Sequence, residues 1–470
     1  MKGIIHFDDL WYCDEGGDRL LGSATLESSR ENGRPRLDLR SDPIDVTVHG
    51  EFLPTRLGPA VRSVIFSVFP ALSEQVSFAQ ADQQFTFDLT VKDPAPLLDL
   101  LGTDMILDKG AHASGSFDSR TFDLSLDAWV PHLAWRGFNG DSVRVVADKT
   151  MDVLAFSFRS ARQHLNDSTW IGGIDITGKA YQDEVELRTG WSASSQGTEG
   201  DLDIQALVNG PRSIEATLLP SQLWFGRGFW KNEGPAHLRW DSTVVKVDGL
   251  GRAKEGRRIV LEGVVGAAHG DALAFELENV RMENLDPWVG KPSLHGSVSG
   301  DGRLFALLAK PYLLSYLCVD SLAIGSEAVG DLKLSAAWNE AARAIDLNGN
   351  VTRDSIPSLG FSGSYTPEKD NALDLKLSLD HFDLAFLNTY LPGDITGIQG
   401  KVTGTIDLSG SIDAPHIAGS AMVDNAGLRI DYLNTSYRFS HRVDIVDDMI
   451  TMDNVRAVDQ EGNPVKLGCT

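Results

Sequence analysis

Cysteine and basic residues are both scarce in this chain, and each shortage excludes a class of protein. The 470 residues contain only Cys13, Cys318 and Cys469, which are far apart and form no C-x-x-C pair. This spacing argues against a disulfide framework and against a zinc site. There are 42 basic and 66 acidic residues, for a net charge of -24. The chain therefore lacks the basic footprint of a nucleic-acid-binding protein, and no broad basic face is available for anionic lipid head groups.

Long apolar runs are also missing. The most apolar segment, residues 304–319, is interrupted by Lys310 and Pro311. Each half is far shorter than the roughly 20 residues that a membrane-spanning helix needs. The first residues, MKGIIHFDDLWYCDE, have too short an apolar segment for a signal peptide, and acidic residues follow at once. Within these residues we predict no membrane anchor and no signal peptide.

Catalytic motifs are absent or incomplete. The segment GIDITGKA, residues 173–180, approaches a phosphate-binding loop, but Ala180 stands where a Ser or Thr would hold magnesium. The residues that follow, YQDEVELRT, alternate like a strand instead of opening a helix, so we predict a hairpin here. Neither H-E-x-x-H nor G-x-S-x-G occurs. We predict that the chain is not an enzyme and binds no cofactor.

The histidines are dispersed in the sequence. Four of them lie singly beside predicted turns or strand ends: His112, His132, His164 and His416. Solvated or capping roles suit such positions better than metal ligation. We therefore predict no metal site.

Strict alternation of apolar and polar residues is the dominant pattern that is present. Residues 373–380 read LDLKLSLD, and residues 401–408 read KVTGTIDL. Successive side chains of a strand point to opposite faces, so each segment has one apolar and one polar side. The pattern recurs along most of the chain, with candidate apolar-face residues Phe85, Phe87, Phe122, Leu124, Leu273, Phe275, Leu373, Leu375, Leu377, Val402, Ile406 and Leu408.

These alternating segments predict an all-β fold, an elongated antiparallel sheet rolled into an open apolar groove with a few short helices. The alternative is that the same apolar faces pack into a closed sandwich or solenoid core. Asn-Gly and Asp-Gly pairs favour tight hairpin turns. The predicted turns are at residues 32–33, 139–140, 209–210, 248–249, 301–302 and 348–349. Short helices ending in glycine are predicted at residues 94–102, 283–290 and 385–393.

An approximate internal repeat relates two stretches of the second half of the chain. Leu277 and Leu285 correspond to Leu379 and Leu387 at an offset of 102, and Gly296, Gly300 and Pro311 correspond to Gly400, Gly404 and Pro415 at an offset of 104. Each copy reads as a strand, a short helix and a G-x-x-x-G strand. Such repeats favour a stacked array of similar units. We expect two regions, a repetitive sheet segment over residues 1–270 and a distinct β region over residues 271–470.

The C-terminal residues resemble the end of a known family. Residues 400–440 contain G-x-x-x-G-x-I-x-L-x-G, then Pro415 and Gly419, then YLNT and Tyr437. Asp459 and the pair Gly462-Asn463 follow. Together these features resemble the C-terminal region of the TamB family, the inner-membrane-anchored subunit of a bacterial translocation and assembly module. FTFDLTVKDPAPLLDLLG through GSFD is similar to the family's repeats, less specifically.

This resemblance implies a periplasm-bridging β-groove with an apolar interior. The expected function is transport of phospholipid between inner and outer membrane and support of outer-membrane biogenesis. The expected partners are phospholipid acyl chains, an outer-membrane β-barrel of TamA type, and membrane at the ends of the full-length protein, with no nucleic acid. The alternative is a scaffold that pairs with the barrel partner to assist insertion of outer-membrane or secreted proteins. Because the family has an N-terminal anchor and a longer chain, we expect this sequence to be a fragment, incomplete at its C-terminal end, of a periplasmic protein anchored to the inner membrane.

Overall fold

A computed structural model shows antiparallel β-strands along nearly the whole chain. It describes residues 2–14, 17–53, 57–73, 83–165, 169–195, 198–224, 228–232, 234–284, 293–366, 372–389, 395–411, 414–446 and 448–469. The predicted all-β, antiparallel fold with a few short helices is confirmed. The chain divides into two compact units, unit 1 at residues 1–242 and unit 2 at residues 243–470. The division at residues 270 and 271, expected from sequence character, stays a prediction.

Unit 1 is a meander in which most strands pair with their neighbours in the sequence. Its strands are β1 (Gly3–Asp14), β2 (Gly17–Glu31), β3 (Arg34–Ser41), β4 (Ile44–Glu51), β5 (Gln84–Val91), β6 (Ile106–Leu107), β7 (His112–Asp118), β8 (Asp123–Trp135), β9 (Phe138–Thr150), β10 (Val153–His164), β11 (Trp170–Tyr181), β12 (Glu184–Trp191), β13 (Ala193–Ser194), β14 (Glu199–Gly210), β15 (Ser213–Leu218), β16 (Gln222–Trp224), β17 (Phe229–Asn232) and β18 (Ala236–Trp240). The segment that approaches a phosphate loop lies inside β11, which forms a hairpin with β12, as predicted.

Unit 2 is a simpler meander, in which each strand from β19 to β32 pairs antiparallel with the next. Its strands are β19 (Val245–Lys254), β20 (Arg257–Val265), β21 (Ala272–Arg281), β22 (Leu294–Phe305), β23 (Tyr312–Ile324), β24 (Glu327–Asn339), β25 (Ala344–Arg353), β26 (Ile356–Tyr365), β27 (Leu373–Asp383), β28 (Ile395–Gly410), β29 (Pro415–Ile430), β30 (Thr435–Val446), β31 (Met449–Asp459) and β32 (Pro464–Cys469). Strands of this length, joined mostly by short connections, form a broad sheet from local pairings alone.

The helical segments differ in detail from the three that the sequence predicts. Helix α1 (Leu57–Val68) is not among the predicted ones. The first predicted segment is α2 (Ala95–Leu101), which ends at Gly102 in the left-handed conformation, as expected of a glycine cap. Of the second, a 3₁₀ turn at Met282–Asn284 is seen, and residues 285–290 lie outside the described residues. Of the third, a 3₁₀ helix at Leu384–Thr389 is seen, and residues 390–393 lie outside the described residues.

Only one of the six predicted glycine turns is a hairpin turn. Asn32-Gly33 connects β2 and β3 with positive φ at both residues, as predicted. The other five pairs lie inside strands β9, β14, β19, β22 and β25, so those turn predictions are wrong. Several actual turns use pairs without that signature, such as Gln182-Asp183 and Asp354-Ser355, again with positive φ at both positions.

Glycines inside strands, including two from the wrongly predicted turns, make room for an aromatic ring on the neighbouring strand. Four Phe–Gly cross-strand pairs share this arrangement: Phe87–Gly115, Phe156–Gly178, Phe275–Gly302 and Phe361–Gly349. A Cβ built on Gly349 would lie 2.2 Å from the Phe361 ring, and one on Gly302 would lie 2.4 Å from the Phe275 ring. Such glycines therefore serve side-chain packing across the sheet instead of chain reversal.

Replacing a ring-covered glycine should be much more costly than replacing an open one. We expect Gly349→Ala to lower the free energy of unfolding by about 1–3 kcal/mol, because the new methyl group overlaps the Phe361 ring and the Lys333 carbonyl. Gly360 on the paired strand has nothing within 4 Å of an added Cβ. Gly360→Ala should be neutral or slightly stabilising, because alanine restricts the unfolded chain. Urea unfolding of both variants checks this, and equal midpoints would contradict it.

Bulges recur at one level of unit 2. Several strands carry one with a residue at positive φ, and four of these bulges share a further feature: those at Asn279 in β21, Ser321 in β23, His381 in β27 and Asn425 in β29. In each, the backbone N–H donates to a side-chain oxygen of the next strand. The acceptors and distances are Ser299 Oγ at 2.9 Å, Asp331 Oδ1 at 2.8 Å, Thr403 Oγ1 at 3.0 Å and Ser440 Oγ at 2.8 Å. A bulge bends its strand and increases the local twist, so these four bend the sheet along one line.

The bulges also support the internal repeat. Asn279 and His381 are separated by the same 102 residues as the repeat's leucines. Their acceptors Ser299 and Thr403 are separated by the same 104 residues as its glycines. The two copies therefore share a strand, a bulge, a 3₁₀ segment and a capping hydroxyl, although few residues are identical.

Candidate functional site

The candidate site is one face of the unit 2 sheet, where apolar residues continue from strand to strand. Two in-register rows of cross-strand partners run from β21 to β29. One row is Phe275, Gly302, Ser315, Ala336, Leu347, Gly363, Leu375, Leu408 and Ile417. The other is Leu277, Gly300, Leu317, Leu334, Gly349, Phe361, Leu377, Ile406 and Gly419. We call these two rows, with the apolar residues that alternate with them, the unit 2 apolar face.

All eight predicted groove residues of unit 2 lie on this face. Leu273 and Phe275 are on β21, Leu373, Leu375 and Leu377 on β27, and Val402, Ile406 and Leu408 on β28. The cross-strand pairs Leu375–Leu408 and Leu377–Ile406 join β27 directly to β28. Alternation within each strand and register between strands thus combine separate sequence patterns into one surface.

Much of the unit 2 apolar face is only partly covered by protein, although Leu273, Val402 and Ile406 are buried. The side chains of Phe275, Leu334, Phe361, Leu375 and Leu377 are all partly buried and none of them is fully enclosed. The part of unit 2 that the structure describes contains no α-helix lying on this face. In a filled core such large side chains would usually be fully buried.

The opposite face of the same strands is polar and exposed. Asp374, Lys376, Ser378 and Asp380 of β27 are exposed, and Lys376 lies 3.9 Å from Asp407 of β28. An exposed pair of this kind contributes little to stability. These charged and polar side chains keep this face hydrated, so the two sides of the sheet differ sharply in polarity.

The sheet of unit 2 curves toward its apolar face at the bulged ends of the strands. The 3₁₀ helix at Leu384–Thr389 lies against both β28 and β24, although three strands separate them in the sheet. Its Phe386 ring packs on Phe382, with centroids 5.3 Å apart. Phe382 pairs with Val402 and so belongs to the apolar face. This end of the face is therefore concave and capped by an aromatic pair.

The four predicted groove residues of unit 1 have different surroundings. Phe85 is buried in a cluster with Val48, Val64 and Phe117, and Phe87, Phe122 and Leu124 pack against that cluster. Val64 belongs to α1, so a helix covers the apolar face here. The segment after α1 also joins the β11–β12 turn, because the Asp183 amide donates to Val68 and Asp183 Oδ1 accepts from the Ala71 amide. In this part of unit 1 the apolar face is filled by the protein's own helix.

A buried lysine on the unit 1 face is a feature that the sequence pattern does not predict. Lys149 is 2% exposed and pairs across the sheet with Leu124 and Leu154. Its ammonium donates to the Met151 carbonyl. Burial lowers the pKa of Lys149, and the nearby charges of Asp123 and Asp152 oppose that shift. The position falls on the apolar side of β9, where alternation alone predicts an apolar residue.

A charged cluster lies beside the capped end of the unit 2 face. Asp383 Oδ2 accepts from Arg353 at 2.7 Å and from Lys401 at 3.1 Å, and Asp383 Oδ1 accepts from the Ala385 amide at 3.0 Å. Burial raises the pKa of Asp383. The Ala385 and Lys401 hydrogen bonds and the charges of Lys401 and Arg353 outweigh that effect, so the pKa lies below its ordinary value. The carboxylate is thus ionised and fixed between two cations.

Two histidines that are distant in sequence converge on one carboxylate in unit 1. His132 Nδ1 lies 2.8 Å from Asp141 Oδ1, and His164 Nε2 lies 3.0 Å from Asp141 Oδ2. His132 is on β8, Asp141 on β9 and His164 on β10, so the cluster joins three consecutive strands. The prediction that His132 and His164 stand singly is wrong, because His132 lies directly opposite Asp141 and His164, two residues beyond the β10 partner Arg162, reaches the same carboxylate.

The His132–Asp141–His164 cluster should make stability depend on pH in a defined direction. The hydrogen bonds from His164 and then His132 lower the pKa of Asp141. A carboxyl with a depressed folded-state pKa stabilises the fold above its unfolded pKa, about 3.9, and loses that contribution as pH falls through the folded value. Asp141→Asn should therefore be less stable than the parent above about pH 4, and the difference should vanish in more acid solution. Thermal unfolding across pH checks this, and a difference that persists at the lowest pH would contradict it.

Neither a spanning helix nor a metal-binding cluster is found in the described residues. Of the helices in the ranges given above, none has the length and apolar character to cross a membrane. No group of three His, Cys, Asp or Glu side chains in those ranges is arranged to hold a metal ion. Comparisons with protein-family models, with curated proteins and with solved structures find no match.

Proposed function

We propose that this chain carries phospholipid along the unit 2 apolar face, with acyl chains lying across the strands of the sheet. One observation carries the proposal: two continuous rows of cross-strand partners, composed of apolar residues and glycine except for Ser315, extend over nine strands, and most of their large side chains are only partly covered by protein. A continuous apolar surface of this kind signals a binding function when it is large. An acyl chain needs such a wall and requires no residue in a special role.

The resemblance of residues 400–468 to the TamB family supports a cellular setting for this activity. In that setting the groove belongs to a periplasmic protein that is anchored to the inner membrane in its full-length form. Its transport of phospholipid between inner and outer membrane supports outer-membrane biogenesis, with an outer-membrane barrel of TamA type as its partner. The proposal includes no catalytic step, because lipid movement along a wall requires neither bond formation nor bond cleavage.

A second function, a scaffold for strand pairing, is favoured by the surroundings of β1. Among the described strands, β1 pairs only with β2. Ile4, Ile5 and Trp11 on this strand are 57%, 52% and 55% exposed. A free, apolar edge offers main-chain hydrogen bonds to a strand of another protein. This scaffold would pair with an outer-membrane barrel or its client without holding lipid.

Lipid analysis of the purified protein separates the two functions. The folded chain is incubated with a bacterial membrane extract, repurified and extracted, and the extract is analysed by mass spectrometry. The lipid-carrying proposal predicts phospholipid in stoichiometric amount. Recovery of folded protein without phospholipid would contradict it and favour the scaffold.

A further inference from the structure

Helix α1 is an insertion between two strands that pair without it. β4 and β5 pair antiparallel along their whole length, from Ile44–Val91 at one end to Glu51–Gln84 at the other. Between these strands the chain forms α1 and then a 3₁₀ turn, Pro70–Leu72. Displacing the helix would therefore leave the β4–β5 ladder intact.

The unit 1 sheet has an apolar face of its own, and two neighbouring rows of this face differ in how they are covered. One row runs from β7 to β12 and consists of Phe117, Leu124, Lys149, Leu154, Ala180 and Val185. Three of its members, Phe117, Lys149 and Ala180, are buried. The next row runs from β8 to β14 and consists of Leu126, Ala147, Phe156, Gly178, Leu187 and Ile204, each of which is only partly buried. We call the first the covered row and the second the open row.

Contacts at both ends place α1 along the covered row. Val64 and Val68, one helical turn apart, are buried, and Val64 packs with Phe85 and Phe117 at one end of the row. At the other end, the Asp183 amide in the β11–β12 turn donates to the Val68 carbonyl. Strands β8, β9 and β10 lie between these two contacts in the sheet. The helix thus occupies the surface on which an acyl chain would lie and leaves the open row partly exposed.

The attachment of α1 to the sheet is small. Its apolar residues Val61 and Ile65 are 43% and 45% exposed. Among the described residues, both hydrogen bonds that join this segment to the sheet involve Asp183, whose amide donates to Val68 and whose Oδ1 accepts from the Ala71 amide at 2.9 Å. An acyl chain of about sixteen carbons offers the sheet more apolar surface than two valine side chains do. A lipid can therefore replace the helix on this row.

We propose that α1 is an autoinhibitory cover, which occupies an acyl-chain site on unit 1 and is displaced when a lipid takes its place on the covered row. The inference rests on the proposed function and adds a means of control to it. In the lipid-free chain α1 shields Phe85 and Phe117 from water, and in the lipid-bound chain the acyl chain does so. The described part of unit 2 has no such helix, so its apolar face stays open.

Hydrogen–deuterium exchange of the full chain tests this cover directly. The protein is incubated with vesicles of phosphatidylethanolamine and phosphatidylglycerol, repurified, and compared with the lipid-free protein. We expect the amides of residues 61–68 to exchange about tenfold faster or more in the lipid-bound protein, because a displaced helix loses its local protection. The amides of β4 and β5 should stay protected. Unchanged or slower exchange of residues 61–68 in protein that has captured lipid would overturn the proposal.

Two substitutions at Asp183 separate release of the helix from damage to the turn. Because Asp183 has a φ of 68°, Asp183→Gly removes the carboxylate without straining the backbone. A photoreactive residue at Leu154, in the covered row, should then give about three- to tenfold more lipid adduct than in the parent, as loss of one hydrogen bond allows. Asp183→Asn keeps an acceptor oxygen for the Ala71 amide and should match the parent. A photoreactive residue at Leu377 of unit 2 should give the same yield in all three proteins.

Each outcome of these experiments has a defined meaning. No adduct at Leu154 or Leu377 in the folded parent would overturn the proposed function together with the cover. Adducts at Leu377 without any at Leu154, in all three proteins, would overturn the cover alone. An equal yield at Leu154 in Asp183→Gly and the parent, or an equal rise in Asp183→Asn, would also overturn it. If Asp183→Gly does not fold, the exchange measurement on the parent decides.

Discussion

A carboxylate on the unit 2 apolar face should remove most of the lipid capture by this chain. Leu375 lies within the face on β27, with Gly363 on one side and Leu408 on the other. Leu375→Asp would place a charge against acyl chains, where an ionised group costs several kcal/mol unless it is paired. We expect capture to fall at least about tenfold, since each 1.4 kcal/mol changes binding by that factor. Lipid bound per folded protein, measured after incubation with vesicles, checks this.

The matched control for Leu375→Asp lies on the same strand but on the other face. Ser378 is exposed among polar neighbours, and its cross-strand partners are Gly360 and Thr405. Ser378→Asp adds the same charge to the same strand without touching the apolar face, so its capture should equal that of the parent. Circular dichroism should show strand content unchanged in both variants, because Leu375 is only partly buried. Equal capture by the two folded variants would contradict the assignment of the face.

Affinity should also rise steeply with acyl chain length. Each methylene moved from water to an apolar surface contributes about 0.8 kcal/mol, which is about fourfold in affinity. Single-chain phospholipids with eight, ten and twelve carbons should therefore show a steady increase, and the series from eight to twelve should span about two orders of magnitude. Tryptophan fluorescence or calorimetric titration measures it. A wall that continues from β21 to β29 predicts no plateau in this range. An affinity that levels off after eight carbons would indicate a short pocket instead.

Strand identity and the composition of the apolar face could be predicted from the sequence because both depend on local alternation. Leu373, Leu375 and Leu377 must share a face in any strand, and so must Ile406 and Leu408. Pairing of sequential strands then follows from short connections, and register places Leu377 beside Ile406. No long-range information is needed for this part of the fold.

The turns could not be predicted because one residue type serves two purposes. Asn348-Gly349 has the composition of a hairpin turn, but Gly349 lies under the Phe361 ring in the middle of a pair of strands. The turn that follows uses Asp354-Ser355, where both residues take positive φ without glycine. In such a hairpin the pairing of the two flanking strands determines the conformation of the turn. The turn residues themselves therefore do not identify it in the sequence.

Contacts between residues distant in the sequence also could not be predicted from it. Nothing in the pattern of α1 shows that Val64 packs on Phe85 and Phe117, because the helix sits between two strands that would pair without it. Likewise, Lys401 is the direct cross-strand partner of Asp383, but the approach of Arg353 to Asp383 from β25, two strands away, depends on curvature at the bulged end of the sheet. Alternation does not encode that curvature, and only the repeated position of the bulges hints at it.

Site-specific photo-crosslinking along β27 and β28 tests the central claim most directly. A photoreactive residue is placed in turn at Leu375, Lys376, Leu377 and Ser378, and then at Asp407 and Leu408, and the folded protein is irradiated with a membrane extract. We expect lipid adducts at Leu375, Leu377 and Leu408 and none at Lys376, Ser378 and Asp407, because neighbouring residues of a strand face opposite sides. Adducts at every position, or at none while the strands remain intact, would contradict the claim that the unit 2 apolar face holds lipid.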